Sequence, residues 1–205
     1  MSPRTDEQNQ AILDKRREEI LNAALSEFAR KGYSGTKISG IAKAGSISQG
    51  LIYHYYSSKD ELYAAVIERA IESSESIVNM INQYNLKGWQ GLSAITEGVI
   101  NYIKAGKEEL LNFFFIYQAI MLDPMPKCVK DALAKEMKIL PTTAQLMKEA
   151  QEEGTVIQGD PFLLASTFWS TLQGIIMTKV TVMYMDAPQG ELVPDSNLIL
   201  RMFKQ

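Results

Sequence analysis

The sequence holds one cysteine, Cys128, and one histidine, His54, in 205 residues. A single thiol cannot close an intramolecular disulfide. With no Cys/His cluster at metal-ligand spacing either, the fold must come from packing, in a reducing compartment and without structural zinc. There is no Gly-x-Ser-x-Gly elbow, no phosphate loop and no pair of metal ligands, so the usual nucleophiles, bases and cofactor cradles are missing. Carboxylate chemistry is the one enzymatic class this inventory leaves open; the chain reads as a non-enzyme with no cofactor and no metal. Long hydrophobic runs are scarce as well. Arg4, Asp6 and Glu7 precede Ile12 and Leu13, which is not the pattern of an export signal and places the protein in the cytoplasm. Pro161 to Thr178 carries no charge, but its Ser166, Thr167, Ser170, Thr171, Gln173 and Thr178 suit a helix buried in protein or in a subunit interface rather than lipid. Leu110 to Leu122 includes Asn112 and Gln118 and is shorter than the roughly 20 residues a bilayer needs. No membrane partner is expected.

Acidic residues are also absent where it matters. The net charge is −3, yet residues 1–60 carry 9 Lys/Arg against 7 Asp/Glu, net +2, and residues 61–205 carry 12 against 17, net −5. Between Arg30 and Lys59 lie five basic residues, Arg30, Lys31, Lys37, Lys43 and Lys59, and no acid. Such a window can face phosphates without repulsion.

What is present is helix signal almost throughout. At 46% hydrophobic, the chain can bury a sizeable core, as one compact body with a small appended domain. Thr5 and Gln8 have capping-box spacing, and Ile12, Leu13, Ile20, Leu21, Ala24, Leu25 and Phe28 form the apolar stripe of a first helix. It should stop at Gly32, after the basic Arg30 and Lys31, with the glycine as a left-handed cap. Thr36 is an expected N-cap for a short second helix carrying Ile38, Ile41 and Ala42, ended by Gly45 and Ser46. Ser48 caps a third short helix, with Ile47 as its anchor, Ile52 inward and Tyr56 as the core member of the tyrosine run. A fourth opens at the capping box Ser58-Lys59-Asp60-Glu61, and its stripe Leu62, Val66, Ala70, Ser73, Ile77 and Ile81 predicts about 37 Å of helix to Gln83. That length can bridge two domains. Asn85 to Gly91 reads as a loop. Further helices are expected over Leu92–Lys104, Lys107–Leu122, Lys127–Glu153 with a kink or split at Pro141, Pro161–Met185 after an Asp160 cap, and Asn197–Phe203. The fold class is all-α, divided into a head of residues 1–60 and a body of residues 61–205.

A short third helix exposing Gln49, Leu51, His54 and Tyr55, with Gly50 allowing close backbone approach, is sized for a DNA major groove. Gln49 can pair with an adenine edge and Leu51 can touch a thymine methyl. The segments Gly32-Tyr33-Ser34-Gly35-Thr36-Lys37-Ile38-Ser39-Gly40-Ile41-Ala42, Ser48-Gln49-Gly50-Leu51-Ile52-Tyr53-His54-Tyr55-Tyr56 and Ser58-Lys59-Asp60-Glu61-Leu62 together resemble the DNA-binding head of TetR/AcrR-family regulators. The chain departs from that family's usual Ala-Gly before the turn's hydrophobic residue: Gly45 comes one place early and Ser46 stands at the turn.

The resemblance implies a helix-turn-helix head in which Ser48, Gln49, Gly50 and Leu51 meet DNA and Tyr53, His54 and Tyr55 mix phosphate and base contacts. It also implies that Thr36 and Lys37 hold the backbone and that Lys59 grips a phosphate. It implies a C-terminal body that binds a small hydrophobic effector and forms a homodimer. Phe114, Tyr117, Met121, Trp169 and Gln173 are the expected lining, with plain core packing as the competing role for each. The uncharged helix from Pro161, with Gly174 allowing close approach, is the expected dimer helix. The implied function is a repressor that binds a palindromic double-stranded operator as a dimer and is released by its effector. The rival is a helical small-molecule carrier or interaction module that does not bind DNA.

Overall fold

The computed structural model describes residues 6–134, 139–185 and 192–205, with the side chains of residues 6, 7, 9, 73–75, 77, 107–109 and 184 excepted. The described residues form helices and no strand, apart from an isolated antiparallel bridge between Val156 and Lys204. In order they are α1 (Asp6–Gly35), α2 (Ile38–Ala44), α3 (Gln49–Tyr55), α4 (Lys59–Gln83), α5 (Gly88–Ala105), α6 (Lys107–Ile120), α7 (Lys127–Ala134), α8 (Ile139–Glu152), α9 (Pro161–Tyr184) and α10 (Ser196–Arg201). Among the described residues no helix is long and apolar enough to cross a membrane, and no group of three or more His, Cys, Asp or Glu side chains is placed to hold a metal. The chain divides into two compact units, Met1–Arg69 with Phe115–Ala134, and Ala70–Phe114 with Lys135–Gln205.

In the first unit, Ile20, Leu25 and Phe28 of α1 pack inward with Ile41, Ile52, Leu62 and Phe115, all at most 2% exposed. Phe28, Tyr33, Tyr63 and Phe115 form an aromatic knot, with Tyr63 edge-on to Phe28 at 4.8 Å and to Phe115 at 4.7 Å. Edge-to-face geometry sets ring edges against electron-rich faces, and burial pushes the Tyr63 hydroxyl up to about 12. The predicted capping box at Thr5 lies outside the described residues. Gly32 takes the expected positive φ, 68°, but with ψ at 172° it kinks the chain, which then makes one more helical turn to Gly35.

The expected N-cap at Thr36 is corrected to Lys37, which is extended and has no side-chain cap bond. Thr36 is 1% exposed and its hydroxyl donates backward to the Gly32 carbonyl at 2.7 Å and the Glu27 carbonyl at 3.2 Å. The hydroxyl thus ties the start of α2 to the last turns of α1. Ser48 caps α3 as its sequence predicts, accepting the Leu51 N–H at 3.1 Å, and Ser58 does the same for Glu61 at the start of α4.

In the second unit, Leu92, Ile95 and Val99 of α5 pack with Met147 of α8 and Phe168 and Leu172 of α9 around one core. The expected loop to Gly91 is partly wrong, because Gly88 to Gly91 form the first turn of α5. Their glycines serve close approach: a β-carbon on Gly91 would stand 2.5 Å from a Leu146 methyl. The helix start is held by Glu149 of α8, which accepts the Gly88 N–H at 3.0 Å, and by Glu153 just past that helix, which accepts the Trp89 N–H at 3.1 Å. Along α4 the predicted stripe is buried at Leu62, Val66, Ala70 and Ile81, while the side chains of Ser73 and Ile77 lie outside those described. Pro141 lies in the first turn of α8, where its missing N–H leaves no helical bond unmade. Asp160 caps α9 by accepting the Phe162 and Leu163 N–H groups at 2.9 Å each. The C-terminus is stitched to the α8–α9 loop by Ile157 N–H to the Phe203 carbonyl at 2.9 Å and Gln205 N–H to the Thr155 carbonyl at 3.1 Å.

Candidate nucleic-acid interface

Two short helices joined by a tight turn build the site. The turn fits because Ser46 adopts a left-handed φ of 52°, which brings the Ile47 N–H to the Ala42 carbonyl at 2.9 Å and closes α2. Gly45 has an ordinary φ of −84°. Its glycine answers a different need, since a β-carbon there would lie 2.9 Å from that of Ala23 on α1. The departure noted in the sequence thus separates two jobs, space at residue 45 and handedness at residue 46.

On α3, Ile52 is fully buried and Tyr56, just past the helix, is 5% exposed, as the sequence predicts for the inward side. Gln49, Gly50, Tyr53 and His54 are exposed. Positions i, i+1, i+4 and i+5 share one side of a helix, so these four form a continuous outward face. A β-carbon on Gly50 would meet only the Ser48 hydroxyl, at 3.9 Å, so this part of the face is open. Leu51 and Tyr55 are half-buried at its border. The Tyr55 hydroxyl reaches the Leu13 carbonyl on α1 at 3.4 Å, and its ring stands edge-on to His54 at 5.4 Å. The Ser48 oxygen already serves as a cap.

The acid-free window is not free of acids in space. Glu27, one turn before it and 3% exposed, forms ion pairs with both Arg30 and Lys31. The Lys31 hydrogen bond is the strongest influence on its carboxyl, opposed by desolvation and aided by Arg30, and the balance holds it below the ordinary carboxylate value. Lys59 donates to the Tyr33 carbonyl at 3.0 Å and the Thr36 carbonyl at 3.3 Å while its ammonium sits 4.1 Å from the Tyr33 ring center. It fastens α4 to the end of α1, and the Tyr33 hydroxyl adds a bond to Asp60. Lys37 and Lys43 are exposed and pair with no acid among the described residues. They are the basic groups left facing outward beside α3. Thr36, expected to hold phosphate, is buried with its hydroxyl turned inward, a correction that follows from its bonds to α1.

The expected effector residues are placed separately. Phe114 is half-buried against the core of the second unit, as is Trp169, whose indole N–H donates to Thr143 Oγ1 at 2.9 Å. Gln173, one turn further along α9, is half-buried. Tyr117 and Met121 belong to the first unit. Tyr117 is half-buried, and burial raises its hydroxyl above the ordinary value. Met121 is corrected: it lies in the turn beyond α6 and is 82% exposed, so it lines nothing. Asn112 and Gln118, taken from the sequence only as an argument against a membrane span, have amide oxygens that are buried with no partner among the described residues. Their nitrogens donate to the Tyr102 hydroxyl at 3.0 Å and the Ala29 carbonyl at 3.2 Å. The available signal was two amides interrupting an otherwise apolar run.

Residues 20–66, which run from α1 through α3 into α4, match a family model described as bacterial regulatory proteins of the tetR family. The HTH-type transcriptional activator FasR from Mycolicibacterium smegmatis is 31% identical over 96 residues, 47% of this chain and 44% of that protein. An HTH-type transcriptional repressor from Streptomyces coelicolor is 33% identical over 96 residues, 47% of this chain and 46% of its own. The chain thus spans under half the length of these curated relatives. Over nearly the whole chain, the fold is similar to that of AibR, solved in complex with isovaleryl coenzyme A and operator DNA. The TM-score is 0.69 at 19% identity, covering 91% of this chain and 95% of that one. With its outward-facing α3 seated on an α1–α2 frame, and the family's own pattern running through residues 20–66, the head of this chain is similar to that of the TetR family of bacterial regulatory proteins.

Proposed function

We propose that the protein is a ligand-responsive transcriptional regulator, a repressor by default, that binds a palindromic operator as a cytoplasmic homodimer and is released by a small hydrophobic effector. In this reading it is not an enzyme, residues 1–60 read DNA, and residues 61–205 bind effector and dimerize. The observation that carries it is the face of Gln49, Gly50, Tyr53 and His54, exposed on a helix whose other side is anchored by Ile52. A groove-reading helix needs this division of labor. Gln49 reads a base edge and Leu51 a thymine methyl. Lys37, with Tyr53, His54, Tyr55, Ser48 and the one remaining Lys59 donor, sets register on phosphates.

Dimerization is supported by α9. Leu163, Thr167, Ser170, Gly174, Thr178 and Met185 are exposed along one stripe with no charge. The Thr167 and Thr178 hydroxyls donate back to the Leu163 and Gly174 carbonyls at 2.9 Å and 2.8 Å, so the stripe presents methyl groups and bare backbone, the surface a two-fold mate packs against. Phe114, Trp169 and Gln173, all in the second unit, are proposed to line the effector site, a role in keeping with the isovaleryl coenzyme A that accompanies AibR. Two heads would then engage half-sites about 34 Å apart or a small multiple of that. An effector supplying about 1–3 kcal/mol of coupling would be enough to release them.

The test is duplex binding against salt, with Gln49→Ala and Tyr53→Ala in parallel. Affinity should fall steeply with salt, and the variants should lose sequence preference while melting within about 0.5 kcal/mol of the parent. Salt-independent binding, or variants that bind as the parent does, would leave a carrier without DNA as the better description.

A further inference from the structure

The first compact unit holds a cavity of about 420 Å³ that the effector reading does not use. Its apolar floor is Ala64 and Ala65 of α4 and Ala132 of α7. Small side chains at all three positions are what leave the space open. One wall is Tyr55 and Tyr56, at the end of the proposed recognition helix. Tyr56 is 5% exposed; its oxygen receives the Arg17 Nε–H at 3.4 Å, and its own proton has no acceptor among the described residues. A phenol buried that deeply with a donor left over calls for an oxygen in the cavity. The opposite character comes from the exposed carboxylates of Glu61 and Asp131 at the rim, while Glu68 and Arg17, each engaged with another group, complete the lining. Glu61 is held below its ordinary value by hydrogen bonds from the Ser57 hydroxyl and N–H, so it stays ionized at neutral pH.

From this we infer a second small-molecule site, in the first unit, for an organic ammonium ion that also carries a hydroxyl. The two rim carboxylates attract the ammonium, the tyrosine rings favor a cation beside them, and Tyr56 donates to the hydroxyl oxygen. A simple anion is disfavored by the excess of carboxylates, and a plain hydrocarbon would leave the Tyr56 proton and the charged rim dry. Because Tyr55 lines the cavity and also borders the face proposed to meet DNA, occupancy would act on operator binding from within the first unit. The effector site of the body is not involved.

Tyramine is the probe, with 4-ethylphenol as its uncharged counterpart. Titration of the full chain followed by amide NMR should shift Tyr55, Tyr56 and Asp131 with tyramine and leave them nearly still with 4-ethylphenol. Asp131→Lys, at an exposed position on α7, should weaken tyramine by about tenfold or more, since a tenfold loss corresponds to about 1.4 kcal/mol of charge interaction. Cys128, exposed on the cavity's rim, gives an independent readout: tyramine should slow its alkylation by iodoacetamide in the parent and fail to do so in Asp131→Lys. Equal binding of both compounds, no binding at all, or an affinity unchanged in a folded Asp131→Lys would overturn the assignment.

Discussion

Gly45 and Ala23 approach so closely that a β-carbon on the glycine would lie 2.9 Å from that of the alanine, and this contact sets how tightly the turn before α3 rests on α1. Backbone and a short rigid side chain meet there, so neither can yield cheaply. Gly45→Ala should therefore destabilize the protein by about 1–3 kcal/mol, as overpacking does elsewhere. At the neighboring residue the strain is conformational: Ser46 holds φ at 52°, where an L side chain is disfavored. Ser46→Gly should raise stability by about 1 kcal/mol. Denaturant melts of the two variants should move in opposite directions, and a Gly45→Ala midpoint equal to the parent's would refute the spatial account.

Thr36 separates a structural role from a DNA-contacting one. Its hydroxyl bonds to the Gly32 and Glu27 carbonyls, at 1% exposure. Thr36→Val keeps the shape and deletes the hydroxyl, leaving the Gly32 carbonyl without that donor. Stability should drop by about 1–2 kcal/mol while the salt dependence of duplex binding by the folded variant stays the same. A flatter salt slope at unchanged stability would restore Thr36 as a phosphate contact.

The helical order, the caps at Ser48, Ser58 and Asp160, the burial of Leu62, Val66, Ala70 and Ile81 along α4 and the exposure of Gln49 and His54 on α3 were legible in the sequence, because each depends on neighbors three or four residues away, whereas Leu51 and Tyr55, expected on the same outward face, are half-buried at its border. What stayed hidden depends on partners far along the chain. Gly88 to Gly91 read as a loop because the carboxylates that cap them come from Glu149 and Glu153, some sixty positions on. The window from Arg30 to Lys59 reads as free positive charge because Glu27 lies just outside it and curls back one helical turn. Met121 reads as sensor lining because apolar residues continue up to it, whereas α6 stops at Ile120 and leaves it to solvent.

Glu27 makes the head acid-sensitive. Its carboxyl is depressed by Lys31 and Arg30 in a site 3% exposed. A group whose folded-state value is depressed adds stability that is complete above the unfolded value, about 4.3, and lost as pH falls through the folded value. Melting temperature should thus decline below about pH 4.3, and Glu27→Gln should be less stable than the parent at pH 7 with a shallower acid decline. The same substitution releases Arg30 and Lys31 from their acid, so nonspecific duplex affinity should rise and its salt slope steepen. A parent and a variant with superimposable acid profiles would count against the pairing.

The start of α5 depends on acids it does not contain. The first N–H groups of any helix lack helical partners and carry the positive end of its dipole, and here Gly88 and Trp89 offer theirs to Glu149 and Glu153. Desolvation works to raise the Glu149 carboxyl, but Gln145, the Gly88 N–H and Lys87 outweigh it and the net shift is downward. By the same sign rule, this contribution is complete at neutral pH and fades below the ordinary carboxylate range. Glu149→Gln keeps an acceptor oxygen and removes the charge, so its loss should be small, about 0.5–1 kcal/mol, the scale of a charge at a helix terminus. Glu149→Leu removes the acceptor too and should lose about 1–2 kcal/mol. Gly88→Ala should do worse than Glu149→Gln, because residue 88 sits at φ +45° and a β-carbon there would stand 2.2 Å from a Glu153 oxygen, driving that carboxylate off the helix start. Amide hydrogen exchange at Trp89 and Gln90 reads this directly: faster exchange should rank Gly88→Ala and Glu149→Leu above Glu149→Gln, and Glu149→Gln above the parent. Exchange that fails to follow that order would show α5 to be held by its Leu92, Ile95 and Val99 packing alone.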